Sequence, residues 1–110
     1  MKKYEVFVTP EAEAGIVSAF RYIHAGSPLN AAKWLRALYG KIDTLEKMPE
    51  RCALARKDEY FDEVLRQLLF KSHRIIFRVE EASKIVRVLY VLHAKQRTVG
   101  EPDREEADDE

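Results

Sequence analysis

Cysteine is almost missing from this chain: Cys52 is the only one in 110 residues. No internal disulfide is therefore possible, and a reducing cytoplasm is the simplest home. No apolar run approaches the ~20 residues that a membrane-spanning helix needs, so no membrane association is expected. Met1-Lys2-Lys3-Tyr4-Glu5 leads straight into an alternating pattern, with no signal-peptide core behind it. Neither a CxxC pair nor a HExxH helix occurs, so no metal and no cofactor are expected. Net charge is missing too, because 19 Lys and Arg balance 19 Asp and Glu. That zero conceals a division along the chain. Residues 101–110 hold seven of the acids and one of the bases, which leaves 18 Lys/Arg against 12 Asp/Glu over residues 1–100. A basic body suits an anionic partner such as nucleic acid, the ribosome or an acidic peptide. The tail reads as a flexible acidic segment that solvates a frayed terminus.

What is present is one domain's worth of patterned chain, expected over residues 1–100. Lys3–Val8 reads as a strand with Tyr4, Val6 and Val8 on one face. Thr9-Pro10-Glu11 supplies a capping hydroxyl, a proline for the first helical position and an acid for the first turn. Ala12, Ile16, Ala19, Phe20 and Ile23 then recur at helical spacing. Gly26 stops that helix and Ser27-Pro28 starts another, with Ala31, Leu35, Leu38, Ile42 and Leu45 as its apolar stripe, until Met48-Pro49 ends it. So short a connection folds residues 10–47 into an antiparallel helical hairpin. After a polar stretch from Glu50 to Asp62, three strand-like runs follow: Val64–Phe70, His73–Glu80 and Ile85–His93. The last is apolar on both faces apart from Arg87, which marks an interior strand. The pattern predicts an α+β domain of order β-α-α-β-β-β, its helical hairpin packed on a small, mainly antiparallel sheet. Ile16, Phe20, Leu35, Leu38, Ile42, Phe77 and Leu89 are its expected buried residues.

Several segments, in this order and spacing, resemble the RelE/ParE toxin superfamily. Tyr4–Glu13 is similar to that family's opening strand and Ala/Glu-rich first helix, and Ser27–Leu35 to the start of its second helix. Met48–Ala55 resembles the loop that follows. Val64–Leu69, His73–Phe77 and Val88–His93 resemble its C-terminal strands. The resemblance covers about residues 4–97. It implies the toxin of a bacterial type II toxin–antitoxin pair, held inactive by a cognate antitoxin protein in a hetero-oligomer. RelE-like members cut messenger RNA within the ribosome, whereas ParE-like members poison DNA gyrase. A family member that has lost toxicity and persists as an antitoxin-binding partner is a third possibility.

The residues must therefore choose the mechanism. Metal-free RNA cleavage needs proton carriers and cations around the phosphate. Arg66, Arg74 and His93 are the catalytic candidates, with His93 as general acid or base. Arg74, Arg78, Lys95 and Arg97 are candidates for gripping nucleic acid or another target. Each has a plainer role available: His93 could support a strand end, and Arg66 could clamp Glu63 or the acidic Asp58-Glu59 loop. Arg74 and Arg78 share one strand face, opposite Ile75, Phe77 and Val79. The hairpin register decides whether Arg66 joins them. Trp34 and Tyr39 read as helix packing or antitoxin contact, and Arg21, Lys33, Arg36 and Lys41 as a solvated helical face. Set against the superfamily, Leu69 or Phe70 stands where RelE-type enzymes carry a catalytic arginine. Glu63 and Gln67 stand where those enzymes have basic residues, and no tyrosine follows His93. Val91–Arg97 resembles the Ile-Leu-His-x-Arg ending of ParE-like toxins better. These departures favour a gyrase-directed binder over a ribonuclease.

Overall fold

The computed structural model describes residues 3–55 and 63–93. Its sheet has five strands in the order β1-β5-β4-β3-β2: Glu5–Val8, Ile85–His93, His73–Glu80, Arg66–Phe70 and Ala53–Leu54. Only β1 and β5 run parallel; every other neighbouring pair is antiparallel. Helices α1 (Pro10–Gly26) and α2 (Pro28–Asp43) pack against each other and over one sheet face. The expected α+β architecture is the observed one.

Capping chemistry sets the helix ends. Thr9 stays extended, so its hydroxyl can accept from the Ala12 amide at 3.2 Å and satisfy one of the helix's open N–H groups. The same hydroxyl donates to the Val88 carbonyl at 2.8 Å, which ties the start of α1 to β5. Ser27 serves two helices. Its amide donates to the Ile23 carbonyl at 2.9 Å to close α1, and its side chain accepts from the Asn30 amide at 3.1 Å to open α2. One non-helical residue thus makes the whole link.

The main core lies between helices and sheet. Ile16 of α1 and Trp34, Leu38 and Ile42 of α2 meet Ile75 and Phe77 of β4 and Val86, Val88 and Val91 of β5. A smaller cluster of Ala55, Leu65, Ile76 and Leu92 covers part of the other face, with Leu89 and Tyr90 at its margin. The interior position of β5 and its two apolar faces follow. Of the seven expected core residues, Ile16, Leu38, Ile42 and Phe77 are buried, and Phe20, Leu35 and Leu89 are half-buried.

Four boundaries differ from the sequence reading, one of them being that β3 begins at Arg66 and not at Val64. The β1 ladder starts at Glu5, because the Tyr4 amide donates to the Glu46 carbonyl instead. Helix α2 gives way at Thr44 to a 3₁₀ turn, Thr44–Glu46, that still buries Leu45. A two-residue strand, β2, lies within the stretch read as polar loop. Between these, Met48 takes a left-handed φ of 48°, which is costly for a non-glycine residue. The Arg51 guanidinium braces that kink by donating to the Lys47 carbonyl at 2.8 Å and the Met48 carbonyl at 3.2 Å.

Helix α1 crosses β5 so closely that a Cβ added at Gly15 would sit 2.5 Å from the Val91 carbonyl oxygen. Around Gly40 on α2 the corresponding space is empty. Helix propensity alone favours alanine at both positions by about 1 kcal/mol. At Gly15 the backbone clash opposes it at a cost of about 1–3 kcal/mol. Urea unfolding should therefore show Gly40→Ala stabilised by about 0.5–1 kcal/mol and Gly15→Ala destabilised. Equal gains in both would mean that α1 stands off β5.

Candidate functional site

A β-bulge decides which side of the sheet the end of β5 presents. Directly opposed residues of an antiparallel pair share a face. From Phe77↔Val88 to Glu80↔Ile85 the β4–β5 ladder runs in one register, and from His73↔His93 to Ile76↔Tyr90 in another. Leu89 is the residue left over. Strict alternation from Val86 and Val88 would send Leu92 to the helices and His93 to the far face. Past the bulge, Val91 joins the main core and Leu92 the smaller cluster. His93 is thereby paired with His73 on the helix side.

There the two imidazoles stand 5.5 Å apart, centroid to centroid, and the Trp34 ring centroid lies 5.4 Å from that of His73, with the planes at 60°. Trp34 itself is buried in the main core, beside Phe70 at 6.3 Å. These groups line one end of a groove of about 770 Å³ between α1 and the ends of β4 and β5. Glu11, Ser18 and Tyr22 of α1 form the opposite wall, and Lys71 of the β3–β4 turn the rim. Tyr22 is 85% exposed. Burial, reinforced by neighbouring His93, lowers the His73 pKa and favours its neutral form. Its Nδ1 is buried with no hydrogen-bond partner among the described residues.

The arginines go elsewhere. Arg66 is paired with Phe77, which puts it on the helix side, away from the face that Arg74 and Arg78 share. Its guanidinium donates to the Cys52 carbonyl at 2.7 Å, so it clamps a backbone oxygen rather than Glu63. Arg74 is 6% exposed and donates to Gln67 Oε1 at 3.2 Å. Arg78 meets Glu63 Oε1 at 3.0 Å and Glu80 Oε2 at 3.1 Å. Arg87, directly across from Arg78, donates to the same Glu80 oxygen at 2.8 Å. Two opposed arginines would repel each other without that shared carboxylate. The Arg87 bond, then Arg78, hold Glu80 below the usual carboxylate range. Lys95 and Arg97 lie outside the described residues, as do Asp58, Glu59 and the acidic tail.

The three catalytic candidates are consequently dispersed. Arg74 and His93 occupy opposite faces, by register. Arg66 shares the His93 face but lies opposite Phe77, four residues along β4 from His73, or about 13 Å at strand rise. What does converge is a different set, His73, His93 and Lys71 around the groove. His73 attracts no notice as a site residue in the sequence, because the hidden bulge is what brings His93 beside it. Among the described residues no group of three or more His, Cys, Asp or Glu could hold a metal ion. None of their helices is long and apolar enough to cross a membrane.

The lowered His73 pKa carries a stability consequence. Protonation is harder in the folded state than in the unfolded one, so this residue's contribution is intact above about pH 6.5. It is lost as pH falls from there through the lower folded value. His73→Gln should flatten the fall in unfolding free energy over that range, as read by urea titrations at several pH values. An unchanged slope would mean that His73 is solvated.

The groove and its fold can be set beside known proteins. Residues 6–98 match the family model for the ParE toxin of the type II toxin–antitoxin system parDE. No curated protein matches the chain. Among solved structures, the toxin–antitoxin complex RelBE2 from Mycobacterium tuberculosis is similar, with a TM-score of 0.61 and 19% identity over 86% of this chain and 97% of that one. The chromosomal ParDE toxin–antitoxin system from P. aeruginosa is similar at a TM-score of 0.68 and 17% identity, over 84% of this chain and 98% of that one. At such identities the two structures speak for the fold, and the family model, spanning most of the sequence, speaks for descent. The chain belongs to the ParE toxin family of type II toxin–antitoxin systems.

Proposed function

We propose that this toxin acts without catalysis, by binding and inhibiting DNA gyrase in the cytoplasm, and that a cognate antitoxin protein neutralises it. The observation that carries the reading is the dispersal of Arg66, Arg74 and His93 over two sheet faces. Phosphodiester cleavage needs a proton carrier and a charge-stabilising cation within hydrogen-bond reach of one phosphate. Arg66 and Arg74 are instead engaged by the Cys52 carbonyl and Gln67. The ParE-type family match and the ParE-like ending Val91–Arg97 support the same target. The antitoxin follows from the family and from the two similar structures, one a toxin–antitoxin complex and the other a toxin–antitoxin system. For target contact we favour Lys95 and Arg97, since Arg78 is occupied by Glu63 and Glu80.

One observation favours a second reading. His73 and His93 line the same groove as Lys71, and two imidazoles with a cation can perform metal-free RNA cleavage. Replacing His93 by Gln separates the two. As a strand-end support its loss costs roughly 0.5–1.5 kcal/mol and leaves the purified toxin able to block gyrase supercoiling. As a proton carrier its loss reduces activity ~10²–10⁴-fold. We expect retained gyrase inhibition, with killing intact at matched soluble levels. Abolished killing by a well-folded His93→Gln protein, together with messenger cleavage by the wild type, would establish the nuclease instead.

A further inference from the structure

The groove holds the only two histidines of the chain that meet, His24 being the third and lying on α1. We propose that His73 and His93 form a two-imidazole binding site for one divalent transition-metal ion of the Zn²⁺ class. Imidazole nitrogen bonds Zn²⁺ at about 2.0–2.1 Å, which places each ring centroid about 3.2 Å from the ion. Two such arms at a tetrahedral angle set the centroids about 5.2 Å apart. The observed separation is 5.5 Å, so the backbone already holds the rings at chelating distance.

Direct cross-strand pairing fixes that distance, since His73 and His93 are register partners at the end of the β4–β5 ladder. As they stand, the rings meet edge to face with planes at 71°. Convergence of one nitrogen from each ring on a shared ion requires a turn about χ2, a torsion that is soft in histidine, and His93 is exposed. His73 is immobilised against Trp34 and has a buried nitrogen lacking a hydrogen-bond partner among the described residues. Its desolvation favours the neutral imidazole, the form that ligates metals. No third His, Cys, Asp or Glu among the described residues joins the pair. Water therefore fills the remaining positions, and the affinity falls short of a closed four-ligand site. Lys71 and Glu11, both on the groove wall, bring opposite charges that partly offset each other.

The test is calorimetric titration of the untagged full-length chain with ZnCl₂, with proton NMR of the three histidine rings. We expect one ion per chain, with the His73 and His93 ring signals moving and those of His24 still. His93→Gln should weaken binding by more than the about 10–100-fold that losing an outer-shell group costs, while His24→Gln leaves it unchanged. Because His93 is exposed, its replacement keeps the fold even if His73→Gln does not. Absence of binding, equal binding by His93→Gln, or movement of the His24 signals would overturn the site. None of these readouts involves gyrase, so the two proposals stand or fall separately.

Discussion

Everything in this molecule is referred to one strand. β5 pairs with β1 on one edge and β4 on the other, carries core residues on both faces, and is crossed by α1 at van der Waals closeness. Burying both faces leaves it no freedom to slide, because a shift by one residue would exchange the two apolar clusters. The bulge at Leu89 is how the strand serves both clusters along its length. Val86, Val88 and Val91 can all reach the helix side only because one residue is left unopposed between them. The Thr9 hydroxyl, bonded to the Val88 carbonyl just before that residue, fixes where α1 begins. The histidine pair is the functional consequence of this packing solution.

The same geometry disposes of the charge. A basic body invites the picture of a cationic sheet face, but the described strand arginines are spent within the fold. Arg66 holds a loop carbonyl, Arg74 is buried beside Gln67, and Arg78 and Arg87 share Glu80. Exposed positive charge among the described residues lies instead at Arg21, Lys33, Arg36 and Lys41 on the helices, at Lys71 in the β3–β4 turn, and at Lys3, Lys47 and Arg51. An electrostatically steered encounter with an anionic partner would be guided by these positions first.

Much of the fold was legible because its signals are local. Thr9-Pro10 and Ser27-Pro28 announce helix starts through cap chemistry, and the apolar stripes of α1 and α2 follow a period that few alternatives share. The inside position of β5 showed in an apolar run interrupted before His93 only by Arg87. That same run concealed the bulge. Ile85-Val86-Arg87-Val88-Leu89-Tyr90-Val91-Leu92-His93 is apolar at both parities, so alternation carries no information about the face that His93 takes. The partner of Arg66 was hidden likewise, since it is the carbonyl of Cys52 and not a side chain. The kink at Met48 left no trace because no glycine marks it. β2 was too short for any periodicity to register.

The central claim is that the bulge turns His93 toward His73 and Trp34 and away from Arg74, which separates the residues a nuclease would have to combine. Nuclear Overhauser contacts of the His93 ring in the full-length chain test this most directly. The account predicts cross-peaks from His93 to the ring protons of His73, together with Val91, not Leu92, contacting the helix-side core. Contacts from His93 to the side chains of Arg74 and Ile76, with Leu92 against Trp34, would mean unbroken alternation in β5 and would contradict it.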